Sequence, residues 1–156
     1  MSAWQEYEFG RTTDRRPPFK YSLLHRVILS DTDYQQVLYY GRYMPILDFA
    51  QLEYRRHLGL LRPGMREFAM RAVAFDFSGP ARVDDVIEVF VRAQRVGRTS
   101  VTFGFAVVKV EEEDPVVTGT QTLVMMAGDP PRALPVPEEY RAIVEAFEGE
   151  DVESVR

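Results

Sequence analysis

From residue 68 to residue 126 the apolar residues keep a period of two through four successive runs, 69–77, 86–96, 99–110 and 116–126. Side chains on an extended strand alternate between two faces, so this pattern predicts four long β-strands with one apolar face each. Turn signals separate them: Gly79 with Pro80, Gly97, and the charged tip Glu111, Glu112, Glu113, Asp114 before Pro115. In the third run Val101, Phe103, Phe105 and Val107 form one apolar face, and such a face must be covered by another element.

Only one long helical pattern is available to cover it. Tyr43, Ile46, Leu47, Ala50, Tyr54 and Leu58 recur at three- and four-residue spacing, and Gly59 supplies a stop signal. Phe49 and Leu52 add apolar character on further faces, which predicts burial on more than one side. Pro45 is accommodated if regular helix starts near Gly41, because a first-turn residue needs no N–H partner. A β-compatible segment, 23–29, and a turn-forming cluster, Ser30, Asp31, Thr32 and Asp33, precede the helix. A short helix is expected from Pro137, carrying Tyr140, Ile143, Val144 and Phe147. The economical solution is an α+β fold, a curved antiparallel sheet wrapped around one long central helix.

The chain has 156 residues, the usual size of one domain, and 46% of them are hydrophobic, enough for a sizeable core. Residues 1–19 read as a flexible arm, residues 20–147 as a single domain and residues 148–156 as a polar tail. The absence of cysteine excludes disulfides, thiolate catalysis and cysteine-ligated metal. No apolar run approaches the ~20 residues of a membrane span, and the N-terminus lacks a signal-peptide pattern, so a cytoplasmic location is expected. A net charge of −5 argues against nucleic-acid binding while leaving room for a local basic pocket.

Four segments carry a family resemblance. They are residues 27–33 (VILSDTD) followed by Val37, Tyr39, Tyr40 and Tyr43; the helix ending in 57–60 (HLGL); residues 95–100 (RVGRTS) leading into Val101; and residues 131–137 (PRALPVP). In their order and spacing they resemble the 4-hydroxybenzoyl-CoA thioesterase family of hotdog-fold acyl-CoA thioester hydrolases, over about residues 21–140. The resemblance implies the hotdog fold and acyl-CoA hydrolysis. It implies Asp33 as the catalytic carboxylate, nucleophile or general base, and the backbone N–H of Tyr40 as the oxyanion donor. It assigns Arg98, Thr99, Ser100 and Arg132 to the phosphates of coenzyme A. It also implies a pocket between two subunits, hence a homodimer or a homotetramer of this chain. Neither a metal nor a cofactor beyond the coenzyme A of the substrate is implied.

The chemistry agrees with these positions. A thioester carbonyl gathers negative charge on attack, and a helix start offers unpaired N–H groups to receive it. A carboxylate attacks directly or deprotonates water, and arginine presents a permanently charged fork to phosphates.

Each assignment has a plainer alternative. An aspartate before a helix is commonly a cap, and Asp31 fits that role better than Asp33. Arg98 and Arg132 have the alternative of solvated surface charge, and Thr99 and Ser100 that of ordinary strand residues. Tyr39 and Tyr43 read as packing residues. Asp48 and Glu53 are carboxylates on the helix, where a second hotdog thioesterase group keeps its own; surface or salt-bridge roles are expected for both. His25 and His57 lack the spacing of a triad or metal site and read as structural. The chain departs from the resemblance at Tyr34, Gln35 and Gln36, where glycines are usual, at Tyr40, where many members have histidine, and at Arg42, where they have asparagine. Two other functions compete. A hotdog dehydratase needs a histidine paired with an acid near the helix, and neither His25 nor His57 follows the aspartate loop at that spacing. A non-enzymatic hotdog protein that binds an acyl-CoA or a protein is kept open by Gln35 and Gln36.

Overall fold

A computed structural model describes residues 7–61 and 67–156. In chain order its elements are β1 (Gly10–Arg16), β2 (Phe19–Arg26), α1 (Tyr43–His57), β3 (Glu67–Phe77), β4 (Val86–Val96), β5 (Ser100–Lys109), β6 (Pro115–Ala127), β7 (Arg132–Ala133), α2 (Glu138–Glu148) and β8 (Glu153–Ser154). The strands form one sheet in the order β1-β2-β4-β5-β6-β3, with β7 added to β6 and β8 to β4. Neighbours on the main path are antiparallel, and β8 alone pairs in parallel. Register shifts between Met70 and Ala72, Ala93 and Arg95, and Val107 and Val108 interrupt the ladders. Bulges of this kind bend the strand and increase local twist, which lets the sheet curve around a helix.

The central helix fills that curve. Tyr43, Leu47, Ala50 and Tyr54 on α1 are buried with Val89, Val91, Phe103, Phe105 and Val107 of the sheet in one core cluster. The predicted apolar face of β5 is therefore the inner face, and each of its large side chains contributes roughly 1.5–3 kcal/mol by leaving water. The Tyr54 ring meets Phe103 edge-on, with centroids 5.8 Å apart. Phe49 and Leu52, expected to be buried on further sides of the helix, are 44% and 37% exposed. Phe49 meets Phe9 at 6.0 Å between ring centroids and lines a shallow cavity with Leu23 and Leu24 of β2, without being covered fully by the described residues.

Three boundaries differ from the sequence reading. Residues 10–16, placed in the flexible arm, form β1, a hairpin partner of β2 in the register Gly10 to Leu23 and Thr12 to Tyr21. An edge strand with charges on it shows no clean alternation, and those charges also protect the open edge from pairing with other chains. Residues 1–6 of that arm lie outside the described residues. The tail is likewise built in: Glu148 is the buried last residue of α2, and Glu153–Ser154 pairs with Arg95 and Val96 beyond the reach of β2. Its order rests on backbone pairing, to which composition is blind. The first predicted strand runs 19–26 instead of 23–29, because Leu29–Asp31 turns into a short 3-10 helix.

A second 3-10 turn, Tyr40–Arg42, leads into α1, so regular helix starts at Tyr43 and Pro45 falls in its first turn. At the other end Gly59 has φ +69°, a left-handed conformation suited to glycine at a helix stop.

Candidate functional site

The aspartate loop is a tight excursion between two bridged residues, Thr32 and Leu38. Inside it the Asp33 N–H donates to the Val37 carbonyl at 3.1 Å, and the Gln36 N–H donates to the Asp33 carbonyl at 2.9 Å. The half-buried Asp33 side chain accepts the Gln35 N–H at Oδ1, 2.8 Å. This holds the carboxylate in place and leaves Oδ2 without a hydrogen-bond donor among the described residues. Gln36 has φ +60°, the region where glycine is usual. The chain therefore takes the backbone conformation of a glycine while carrying a glutamine. Tyr34, Gln35 and Gln36 are all exposed, with Tyr34 at 93%, so their bulk points outward.

Two residues past Leu38 the chain enters the Tyr40–Arg42 turn. The Arg42 N–H donates to the Tyr39 carbonyl at 2.8 Å, whereas the Tyr40 N–H has no acceptor among the described residues. Such a donor at a helix start is available to a negative oxygen. Aromatic rings surround it. Tyr39 and Tyr40 stand 4.5 Å apart by centroid, and Phe77 lies 6.5 Å from Tyr40 and 5.6 Å from Tyr43. Burial pushes the Tyr43 hydroxyl up to about 12, so it stays protonated and serves packing. The sequence reading does not single out Phe77. Its neighbour in period, Phe75, meets Phe105 at 6.3 Å. The signal was present in the strand period, which puts Phe77 on the same face as Phe75.

Asp31 is the buried member of the aspartate pair, at 2% exposure. It does not cap the helix that follows: its Oδ2 accepts the Ile28 N–H at 3.1 Å, back at the start of the Leu29–Asp31 turn, and its contacts go further. Oδ2 also lies 2.8 Å from His25 Nε2, and Oδ1 accepts Arg42 Nε at 3.0 Å. Burial alone would raise this carboxyl, but the Ile28 amide, His25 and Arg42 outweigh it and hold the group below the usual carboxylate range. His25 thus has a carboxylate partner that sequence spacing did not disclose, as does His57, whose Nδ1 lies 2.7 Å from Glu8 Oε1. Of the helix carboxylates, Asp48 accepts Gln121 Nε2 at 3.0 Å. Glu53 is buried but takes the salt-bridge role: it accepts Arg56 Nε, and also the Phe9 N–H, both at 2.9 Å.

The residues matched to coenzyme A gather at the other end of the sheet. Arg98 and Thr99 occupy the turn between β4 and β5 and Ser100 opens β5, the turn being closed by the Gly97 N–H donating to the Ser100 carbonyl at 2.8 Å. Arg132 starts β7 opposite Ala127. The segment after β7 returns to the turn, where the Val136 N–H donates to the Arg98 carbonyl at 2.9 Å. Beneath it the buried Arg141 of α2 donates to the carbonyls of Val96 and Gly97 at 3.1 and 2.9 Å. Arg98 and Arg132 are themselves exposed. Asp33 and Tyr40, in contrast, neighbour the start of β4, through Val37 bridged to Arg82 and the Leu38 N–H donating to Ala81. The eleven residues of β4 separate the two groups, a span of roughly 30 Å. One chain does not bring its candidate carboxylate to its own candidate phosphate site.

Residues 35–116 match the family model described as the thioesterase superfamily. The chain belongs to the thioesterase superfamily. Among curated relatives in this superfamily, the acyl-CoA thioester hydrolase YbgC of Escherichia coli is 29% identical over 118 residues, covering 70% of this chain and 86% of that protein. The acyl-CoA thioesterase YbgC of Haemophilus influenzae is 29% identical over 83 residues, covering 50% and 61%. Solved thioesterases share the fold. A Thermus thermophilus thioesterase, whose structure is a complex with coenzyme A and Zn, superposes with a TM-score of 0.71 at 23% identity, over 83% of this chain and 94% of that one. A 1,4-dihydroxy-2-naphthoyl-CoA thioesterase from Synechocystis superposes with a TM-score of 0.72 at 16% identity, over 79% and 93%. The expected hotdog fold, a curved antiparallel sheet around a central helix, is what the superfamily member has. Among the described residues no helix is long and apolar enough to cross a membrane.

Proposed function

We propose that this chain is an acyl-CoA thioesterase, cleaving an acyl-CoA to the free acid and coenzyme A. The observation that carries the reading is a half-buried Asp33 carboxylate in the loop just before the Tyr40 N–H, which has no acceptor among the described residues, in a chain of the thioesterase superfamily. Asp33 acts on the thioester carbonyl as nucleophile, or on a water molecule as general base. In either case the carbonyl oxygen becomes negative and is received by the Tyr40 N–H. Collapse of the adduct breaks the carbon–sulfur bond, and the thiolate leaves and takes up a proton. If Asp33 is the nucleophile, water then hydrolyses the acyl-carboxylate anhydride.

Arg98, Thr99, Ser100 and Arg132 bind the phosphates of coenzyme A on this reading, and they do so for a second copy of the chain. The separation of about 30 Å exceeds the reach of a pantetheine arm, so one chain alone does not serve both ends of the substrate. The outer edge of β3 has no strand partner among the described residues, and Met70, Val73 and Phe77 on it are 46%, 48% and 51% exposed. Antiparallel pairing of two β3 edges about a two-fold axis would bring the β7 end of one copy beside Phe77 and Tyr40 of the other. That geometry favours a homodimer as the catalytic unit. The exposed course of Gln35 and Gln36 removes the steric ground for a binding-only role.

Thiol release from a panel of acyl-CoAs, aromatic through long-chain, tests the reading with wild type and Asp33→Asn. Release by the wild type that falls by about 10³-fold or more in the variant supports it. Wild-type turnover in a folded Asp33→Asn variant overturns the assignment of the carboxylate. No release from any panel member overturns the activity.

A further inference from the structure

Asp31 lies two residues before Asp33 and takes no part in the chemistry above, yet two stretches of chain converge on it. Its carboxylate meets Ile28 and His25 at the end of β2 and Arg42 at the entrance to α1. Its carbonyl accepts the Tyr39 N–H at 3.0 Å, on the residue just before the proposed oxyanion donor. The turn bearing the Tyr40 N–H is therefore held from both sides by one residue, through Tyr39 and through Arg42. The same residue roots the loop that carries Asp33.

We propose that Asp31 and Arg42 are positioning residues for thioester hydrolysis, their ion pair fixing the Tyr40 turn against the Asp33 loop. This inference rests on the roles given to Asp33 and Tyr40 in the preceding section. A carboxylate suits the task because it accepts several donors at once, and a buried one holds them in fixed directions. Arg42 suits it through its bond from Nε, which orients the planar guanidinium. The arginine side chain is 47% exposed against 3% for Asp31, so the pair is open to water on one side and its worth to global stability is small. Its effect is on geometry. An oxyanion donor acts on charge that exists only in the transition state, so misplacing it slows turnover without weakening substrate binding.

The test is Arg42→Leu, compared with Arg42→Lys and Asp33→Asn. Arg42 lies at the surface and Asp31 keeps two donors without it, so the variant retains its fold. Turnover in Arg42→Leu is expected to fall about 10- to 100-fold, the cost of a displacement on the order of 1 Å. KM, and the affinity for a thioether analogue of the acyl-CoA that lacks the carbonyl, should stay within about twofold of wild type. Arg42→Lys should recover part of the turnover. Asp31→Asn, measured per folded molecule, should show the same split between kcat and KM. A purely structural role predicts the reverse, a lowered melting temperature with unchanged kcat per folded molecule, and that result overturns the inference. If Asp33→Asn is inactive while Arg42→Leu turns over as wild type, the positioning role alone fails. If Asp33→Asn is fully active, the reading beneath it fails as well.

Discussion

The hydroxyl of Tyr54, on the central helix, donates to Glu148 Oε1 at 2.7 Å, and the Ala93 N–H of β4 donates to the same oxygen at 3.0 Å. A carboxylate with no exposed surface thereby joins α1, α2 and the sheet, while its Oε2 has no hydrogen-bond partner among the described residues. Burial raises its pKa, and the bonds from Tyr54 and Ala93 only partly oppose that. With the folded value raised, stability from this group is fully present below the ordinary value near 4.5 and is lost as pH rises through the folded value. Chemical denaturation across that window should show the decline, and Glu148→Gln should flatten it.

Gln36 stands in left-handed backbone at φ +60°. A residue with a Cβ is disfavoured there by roughly 1–2 kcal/mol, against which glycine brings about 0.5–1 kcal/mol of extra unfolded-state entropy. Gln36→Gly should therefore raise the unfolding free energy by up to about 1 kcal/mol. A lowered urea midpoint would show that the glutamine makes a compensating contact in solution.

Arg132→Ala should weaken the binding of coenzyme A and make its affinity less sensitive to salt, because one phosphate contact is lost. Titration at two ionic strengths measures both. An unchanged dissociation constant and salt slope would clear Arg132 of the role.

Asp33→Asn and Arg132→Ala should complement each other. Each is impaired alone, but a mixed dimer pairs the intact Asp33 of one copy with the intact Arg132 of the other. After mixing and re-equilibration in equal amounts, about one quarter of wild-type activity should return, since half the dimers are mixed and one of their two sites is whole. No gain over the sum of the separate variants would mean that each copy works alone.

The long strands were legible because their period is carried by residues such as Val101, Phe103 and Phe105, which face one core. The helix was legible for the same reason in Tyr43, Leu47, Ala50 and Tyr54. What escaped were the contributions made by backbone or by partners distant in sequence. β1 is held by ladder bonds to β2 that Arg11 and Arg15 do nothing to advertise, and β8 is two residues long. The site divided similarly. The order of motifs singled out Asp33 and Tyr40 for the proposed chemistry, whereas the cap expected at Asp31 is not the one the fold makes: its carboxylate reaches back to Ile28 and not forward to the helix. The convergence of His25 and Arg42 on Asp31 depends on β2 ending beside the helix entrance, and that is a property of the fold. The clamp of Arg141 on the β4–β5 turn is of the same kind, joining residues more than forty positions apart.

The two ends of the sheet have a consequence for dosage. If the acyl end of the substrate is handled by one copy and the phosphate end by another, an isolated chain is catalytically silent. Rate per molecule then rises with the amount of protein until pairing saturates, so dilution acts as an off-switch that needs no inhibitor. A cell holding this chain near its pairing constant would meter thioester hydrolysis by expression level more steeply than in simple proportion.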